Sequence, residues 1–205
     1  MSLSLKSSQK NSVLKRLRVG SGKTPDHIID AMSLAYMHSS SSKDPSTQLG
    51  AVVVAKANVI GSKDPTWTFT PGINRFPKNT KYTEERLNTN LKYEYMEHAE
   101  RDALDSYTQK RFINPHVIYS QETMVAPWFS CAGCARRIIN AGIKEVVGHL
   151  EIFEFVESVD HQMSWESSIH AGFDMFEENG INFYVISNKF NDLNPVRVRG
   201  QMFTP

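Results

Sequence analysis

Cysteine is scarce. Only Cys131 and Cys134 occur among 205 residues, and their spacing on a continuous helix is poor geometry for a structural disulfide. A disulfide-stapled secreted scaffold is therefore excluded. Long apolar runs are missing as well: the longest strongly hydrophobic stretch, Ala51 to Ala55, falls far short of the ~20 residues needed to cross a bilayer. Nor is there an excess of one charge sign. Lys plus Arg total 23 and Asp plus Glu 22, a formal net charge of +1, which gives no global attraction to nucleic acid or to an anionic membrane. Any recognition of phosphate must be local. No internal repeat is visible, and the length suits one domain. What is present is globular, with 40% hydrophobic and 10% aromatic residues, enough to fill one core.

Residues 1–23 contain Lys6, Lys10, Lys15, Arg16, Arg18 and Lys23, six serines and no acidic residue. They read as a flexible basic tail without the apolar core of a secretory signal. The same composition also fits an organellar transit segment, with a cytoplasmic location as the default expectation. A folded domain is expected over 24–186. Thr24 can cap a helix, Pro25 suits its first turn and Asp26 complements its dipole; Ile28, Ile29, Met32, Ala35 and Tyr36 then recur at helical spacing. A β-branched stretch from Leu49 to Ala57 predicts a central strand, with a partner over Thr66 to Thr70 ending at Pro71-Gly72. Residues 77–96 are polar and poorly periodic, a long loop excursion with one helical turn near Glu84 to Asn88. From His98 onward, helices alternate with strands at Val117 to Tyr119, Lys144 to Gly148 and Asn182 to Ile186. A helix starts near Cys131, and another runs from Trp165 to Glu178 with Gly180 as its stop. This alternation predicts an α/β fold: three layers, α/β/α, around a mixed sheet of about five strands. Residues 187–205 are expected to be an irregular C-terminal tail.

The chemistry concentrates in His98-Ala99-Glu100 and Cys131-Ala132-Gly133-Cys134, each at the predicted start of a helix. A Cys-x-x-Cys pair by itself is equally a redox pair, half of a zinc knuckle or two buried thiols. Together with one imidazole it becomes a three-ligand set of the kind that holds zinc and leaves its fourth position open. Two thiolates balance the ion's charge, and positive helix ends favour them. Glu100, two residues past His98, is placed to carry protons without being a ligand. This combination matches the signature of zinc nucleobase deaminases. The other six histidines lack such a context.

Longer segments narrow the match. Ser42-Lys-Asp-Pro-Ser-Thr-Gln-Leu-Gly-Ala51, Gly72-Ile-Asn-Arg-Phe-Pro77, Leu91-Lys-Tyr93 before His98-Ala-Glu100, and Cys131-Ala-Gly-Cys-Ala135 through Ala141-Gly-Ile-Lys-Glu-Val146 resemble deoxycytidylate (dCMP) deaminases, within the cytidine deaminase-like superfamily. The resemblance covers about residues 25 to 186. It implies a zinc-dependent hydrolase that converts dCMP to dUMP and ammonia by attack of zinc-held hydroxide at C4. His98, Cys131 and Cys134 would be the ligands of one catalytic Zn2+, and Glu100 the proton shuttle. Ala99 would offer its main chain to the pyrimidine edge, and Asn74 would bind the sugar 3′-hydroxyl. For the phosphate, Arg75 and Lys43 are the first candidates, ahead of Arg86 and Lys92. Arg75 stands where relatives carry glycine, so it either grips the phosphate or alters a nucleoside triphosphate regulatory site. Mg2+ would enter only with such an effector.

Pro127 is separated from Cys131 by three residues, where relatives often place proline next to the cysteine. Trp128 or Phe129 then either walls the base pocket or simply packs. Arg197 and Arg199, alternate positions of an extended strand, either reach a neighbouring subunit or lie on a surface tail. The implied partners are a small-molecule nucleotide and further copies of the chain, as a dimer or hexamer, with no membrane. The alternative is a deaminase acting on another cytosine or purine nucleotide, or on a base in tRNA or single-stranded DNA; the near-zero net charge speaks against nucleic acid.

Overall fold

The computed structural model describes residues 13–88, 90–159 and 165–205. In chain order the elements are α1 (Asp26–Ser39), β1 (Gly50–Val59), β2 (Thr66–Ile73), α2 (Glu84–Leu87), α3 (Lys92–Tyr95), α4 (Ala99–Ile113), β3 (Val117–Val125), α5 (Ala132–Asn140), β4 (Glu145–His149), α6 (Leu150–Val159), α7 (Glu166–Glu178), β5 (Asn182–Ile186), β6 (Val196–Val198) and β7 (Gln201–Phe203). Five strands form one sheet in the order β2-β1-β3-β4-β5. The pairs β1/β2 and β1/β3 are antiparallel, whereas β3, β4 and β5 run parallel. This is the expected α/β architecture with a mixed five-stranded sheet. Among the described residues no helix is long and apolar enough to cross a membrane.

Helices cover both faces of β1, which explains why Ala51 to Ala55 are all fully buried and why the strand is continuously apolar rather than alternating. Two glycines mark the close approaches. A methyl group on Gly50 would collide with the Ala35 carbonyl of α1, and one on Gly72 with the Ala103 backbone of α4. Gly72 pairs with Ala51, the neighbour of Gly50, so the two contacts lie on opposite faces. The helices α4 and α5 pack side by side, and α5 packs on α7.

Several boundaries differ from those the sequence predicts. Thr24 does not cap α1: its hydroxyl donates to Asn188 Oδ1 at 2.9 Å, and Pro25 occupies the N-cap position. Strand β2 continues through Pro71 and Gly72, because it is an edge strand in which proline's missing N–H costs little pairing. The strand expected over Val117 to Tyr119 extends to Val125, across a register shift at which Gln121 has φ of 52°. Helix α6 follows β4 without a linker.

The two termini also differ. Residues 1–12 of the expected tail lie outside the described residues, as does His161. Residues 13–16 form a turn of 3-10 helix with Val13 buried, Arg16 pairs with Asp174 of α7 at 2.8 Å, and Gly20 N donates to Val185 O of the edge strand β5 at 2.9 Å. At the other end, 187–205 is not wholly irregular, since β6 and β7 form an antiparallel hairpin. Its Val198 and Phe203 are buried, and Phe203 lies 6.2 Å from the Tyr36 ring of α1.

Candidate active site

His98 and Cys131 are the residues immediately preceding α4 and α5. Both have extended backbone, with φ/ψ of −80°/151° and −62°/167°, and neither side chain caps its own helix. Their side chains are thereby turned across the gap between two adjacent helix N-termini, and Cys134 joins them from the first turn of α5. His98 Nδ1 lies 3.6 Å from Cys131 Sγ and 3.4 Å from Cys134 Sγ, and the three donor atoms lie within 4.8 Å of one another. Zinc with nitrogen at ~2.0 Å and sulfur at ~2.3 Å in a tetrahedral array places those donors about 3.5 Å apart. The donor set therefore fits that ion in both chemistry and spacing. Both thiols are reduced.

The electrostatics agree. Cys131 is pulled down to about 3, chiefly by the hydrogen bond from the Cys134 thiol and further by His98. Cys134 is pushed up because it donates to Cys131 and is buried. The pairing thus favours the thiolate at Cys131, and a bound cation would replace the proton held by Cys134. Burial works against a charged His98, but its hydrogen bond to Cys131 and the charges of Glu100 and Cys131 raise it overall. Glu100, 7% exposed, is pushed up by burial and partly restored by His98. A carboxyl whose protonated form is favoured in this way is suited to carry a proton.

Above this cluster opens a cavity with two unlike walls. The apolar wall is formed by Tyr93, Met96, Trp128, Phe129, Trp165 and Ile169; Trp165 lies edge-on to the His98 ring at 6.2 Å and to Tyr93 at 5.4 Å. Phe129 is also a core residue, packed within 5.1 Å of both Phe153 and Phe173. The polar wall is formed by Asp44, Ser46, Thr47, Asn74, Lys92 and Arg199. Asp44 organises it. Its Oδ1 accepts from Ser46 N at 2.8 Å, Thr47 N at 3.1 Å and Lys92 Nζ at 3.0 Å, and the ion pair with Lys92 is buried.

The residues singled out in the sequence divide. His98, Ala99, Glu100, Cys131 and Asn74 line the cavity. Asn74 is also structural: its Nδ2 donates to Thr47 O at 2.7 Å, and its Oδ1 accepts from Leu49 N at 2.8 Å. Arg75 and Lys43 do not line the cavity. The Arg75 guanidinium donates to Asp102 Oδ1 on α4 at 2.9 and 2.6 Å, a bond that also raises its pKa. Lys43 lies over the Tyr82 ring at 5.0 Å, and Arg86 lies over Tyr95 at 4.5 Å. Among the described residues, the Lys and Arg side chains that do line it are those of Lys92 and Arg199. Sequence reasoning missed Tyr93 and Trp165 as wall residues. The aromatic that follows Lys92 and the one that opens α7 were the available signals.

Fold and site together define a deaminase of the cytidine deaminase-like type, an α/β/α sandwich with a His/Cys/Cys donor set and an adjacent buried glutamate. More specifically, the chain belongs to the MafB19-like deaminase family, which it matches over residues 26–174. It is 27% identical over 148 residues to an uncharacterized deaminase encoded in the luxG 3′ region of Aliivibrio fischeri, covering 72% of this chain and 85% of that one. To the deoxycytidylate deaminases of Mus musculus and Homo sapiens it is 31% and 30% identical over 125 residues. The chain spans 60% of the length of each of these two. The dCMP deaminase of cyanophage S-TIM5, solved with dCMP and dUMP, shares the fold with a TM-score of 0.51 at 18% identity, covering 80% of this chain and 99% of that one.

Proposed function

We propose that this deaminase acts on dCMP, releasing ammonia and leaving dUMP, with one zinc ion held by His98, Cys131 and Cys134. The observation that carries the reading is the convergence of those three donors beside the buried Glu100, at the base of a cavity with one aromatic and one polar wall. A flat base suits the first wall, and a sugar phosphate the second. The likeness to deoxycytidylate deaminases supports the choice of nucleotide.

Bound at this site, zinc supplies the Lewis acidity that makes water nucleophilic near neutral pH. Glu100 takes a proton from the attacking water and passes it to ring N3, then takes the remaining proton from the new C4 hydroxyl and passes it to the exocyclic N4. The C4–N4 bond breaks, ammonia departs and C4 keeps the oxygen, so one water is consumed for each ammonia released. The Ala99 main chain orients the pyrimidine edge. Asn74 Oδ1, which already accepts from Leu49 N, keeps a second lone pair for the sugar 3′-hydroxyl. The apolar wall excludes bulk water and strengthens the electrostatics of the reaction.

The test is ammonia release by purified protein on dCMP, dCTP, deoxycytidine, cytosine, guanine and a deaminable oligonucleotide. The reading expects the highest kcat/KM on dCMP. Turnover confined to the oligonucleotide overturns it in favour of nucleic acid editing.

A further inference from the structure

We propose that Arg199, at the tip of the β6–β7 hairpin, is the residue that makes this cavity select a 5′-phosphorylated nucleotide over the corresponding nucleoside. The inference rests on the nucleotide reading above and assigns its phosphate contact to a segment that the family match, ending at residue 174, does not include.

The turn itself is the first observation. Arg199 and Gly200 link β6 to β7 with φ of 53° and 81°, a two-residue connection with both central residues in the left-handed region. Hairpin turns of this kind favour Asn, Asp or Gly at the first position, and arginine has no local reason to be there. A side chain that opposes the preference of its own turn points to a use beyond the turn. That use is visible in where it lies: Arg199 lines the cavity, although it is far in sequence from every other lining residue.

The hairpin is also fixed in place. Gly200 N donates to Ser46 O at 2.7 Å, and Gln48 N to Arg197 O at 2.7 Å. Arg199 N donates to Thr47 Oγ1 at 3.2 Å. The tip is therefore anchored to the segment whose Ser46 and Thr47 form the polar wall, so a guanidinium is carried at the cavity with its backbone already ordered, which lowers the entropy cost of gripping a ligand.

Charge supplies the third argument. Of the two cations on the polar wall, Lys92 is matched by Asp44 in a buried pair at 3.0 Å and also donates to Ser46 Oγ at 2.6 Å. Arg199 brings to the same wall a guanidinium, whose planar donor fork suits a phosphate. Arg197 differs: its guanidinium donates to the Pro45 carbonyl at 3.1 Å, and it does not line the cavity. The two arginines do not share one face of a strand, as their spacing had implied, because the turn intervenes.

Arg199→Asn is the decisive variant, since asparagine suits the turn better than arginine while removing the charge. We expect thermal stability equal to or above that of the wild type, a fall in kcat/KM on dCMP of about 10- to 100-fold, carried by KM, and kcat/KM on deoxycytidine unchanged within about twofold. Arg199→Lys recovers part of the loss, and Arg197→Gln behaves as wild type on both substrates. Equal losses on dCMP and deoxycytidine, or an unchanged dCMP KM, overturn the role of Arg199 while leaving the nucleotide reading intact. A wild-type protein with no preference for dCMP over deoxycytidine overturns both.

Discussion

The two ends of the cavity are built in opposite ways. At the end that would hold the metal, four groups come from the N-termini of two helices resting on the sheet, His98 and Glu100 from α4, Cys131 and Cys134 from α5. Their geometry follows from helix starts and sheet packing, so it is rigid and set within short stretches of sequence. At the polar end, Asp44, Ser46 and Thr47 come from a turn, Asn74 from the residue after β2, Lys92 from a four-residue helix, and Arg199 from a hairpin tip. That end is held together by hydrogen bonds over 25 to 152 residues of separation, such as Leu49 N to Asn74 Oδ1 and Arg199 N to Thr47 Oγ1. The difference teaches that the donor cluster is fixed by backbone elements and the polar wall by a network that must fold as a unit.

If that division is right, variants at the two ends fail in different ways. The largest effect on rate is expected from Glu100→Gln: kcat on dCMP falls by about 10³-fold, with zinc content and thermal stability retained. A parallel loss of metal would show that Glu100 supports the donor set instead. At the polar end the expected failure is in stability. Lys92→Met leaves the Asp44 carboxylate buried without its counter-charge, at a cost of about 3–5 kcal/mol measurable by urea denaturation. A variant of undiminished stability that loses only kcat would erase the contrast.

A smaller effect is expected where the C-terminal segment is tied to α1 and β4. His149 is fully buried; its Nδ1 lies 2.6 Å from the Tyr36 hydroxyl and its Nε2 lies 2.8 Å from the Asn188 carbonyl. Donation from Nε2 to that carbonyl makes Nδ1 the acceptor of the Tyr36 O–H. Burial pushes His149 below its ordinary 6.5, against the opposing charge of Glu151. The folded protein refuses a proton that the unfolded chain accepts, so this contribution to stability is complete above pH 6.5 and declines as pH falls below it. Tyr36→Phe should cost about 1 kcal/mol at pH 7.5. A melting temperature that rises from pH 7 to pH 5.5 would contradict the neutral assignment. The least effect is expected for Arg137→Ala, whose partner Asp105 is half exposed: at most about 1 kcal/mol and no change in kcat, since it belongs to neither end.

The same division decides what was legible in the sequence. The convergence of His98, Cys131 and Cys134 near Glu100 was legible because spacing within a helix start determines side-chain placement, and the strands β1, β4 and β5 stood out because buried strands are plainly apolar. Helix α6 was missed although Ile152, Phe153 and Val156 recur at helical spacing, since it follows β4 with no turn residue to announce a start. The full length of β3 was hidden by the bulge at Gln121 and by polar residues on either side of it. The hairpin β6–β7 was invisible for a different reason: strands of three residues carry almost no local signal and exist here because they dock on the segment from Ser46 to Gln48. Arg75 and Lys43 appeared to be phosphate contacts because they sit in recognisable motifs. Asp102 and Tyr82, remote in sequence, engage them elsewhere.

The central claim is that one imidazole and two sulfurs share a single metal ion on which activity depends. Elemental analysis of purified protein, run beside dCMP turnover for the wild type and for Cys134→Ala, tests it most directly. The account expects about one zinc per chain in the wild type and a variant that has lost both metal and activity. A wild-type protein fully active without metal, or a Cys134→Ala variant that keeps its zinc and its turnover, contradicts it.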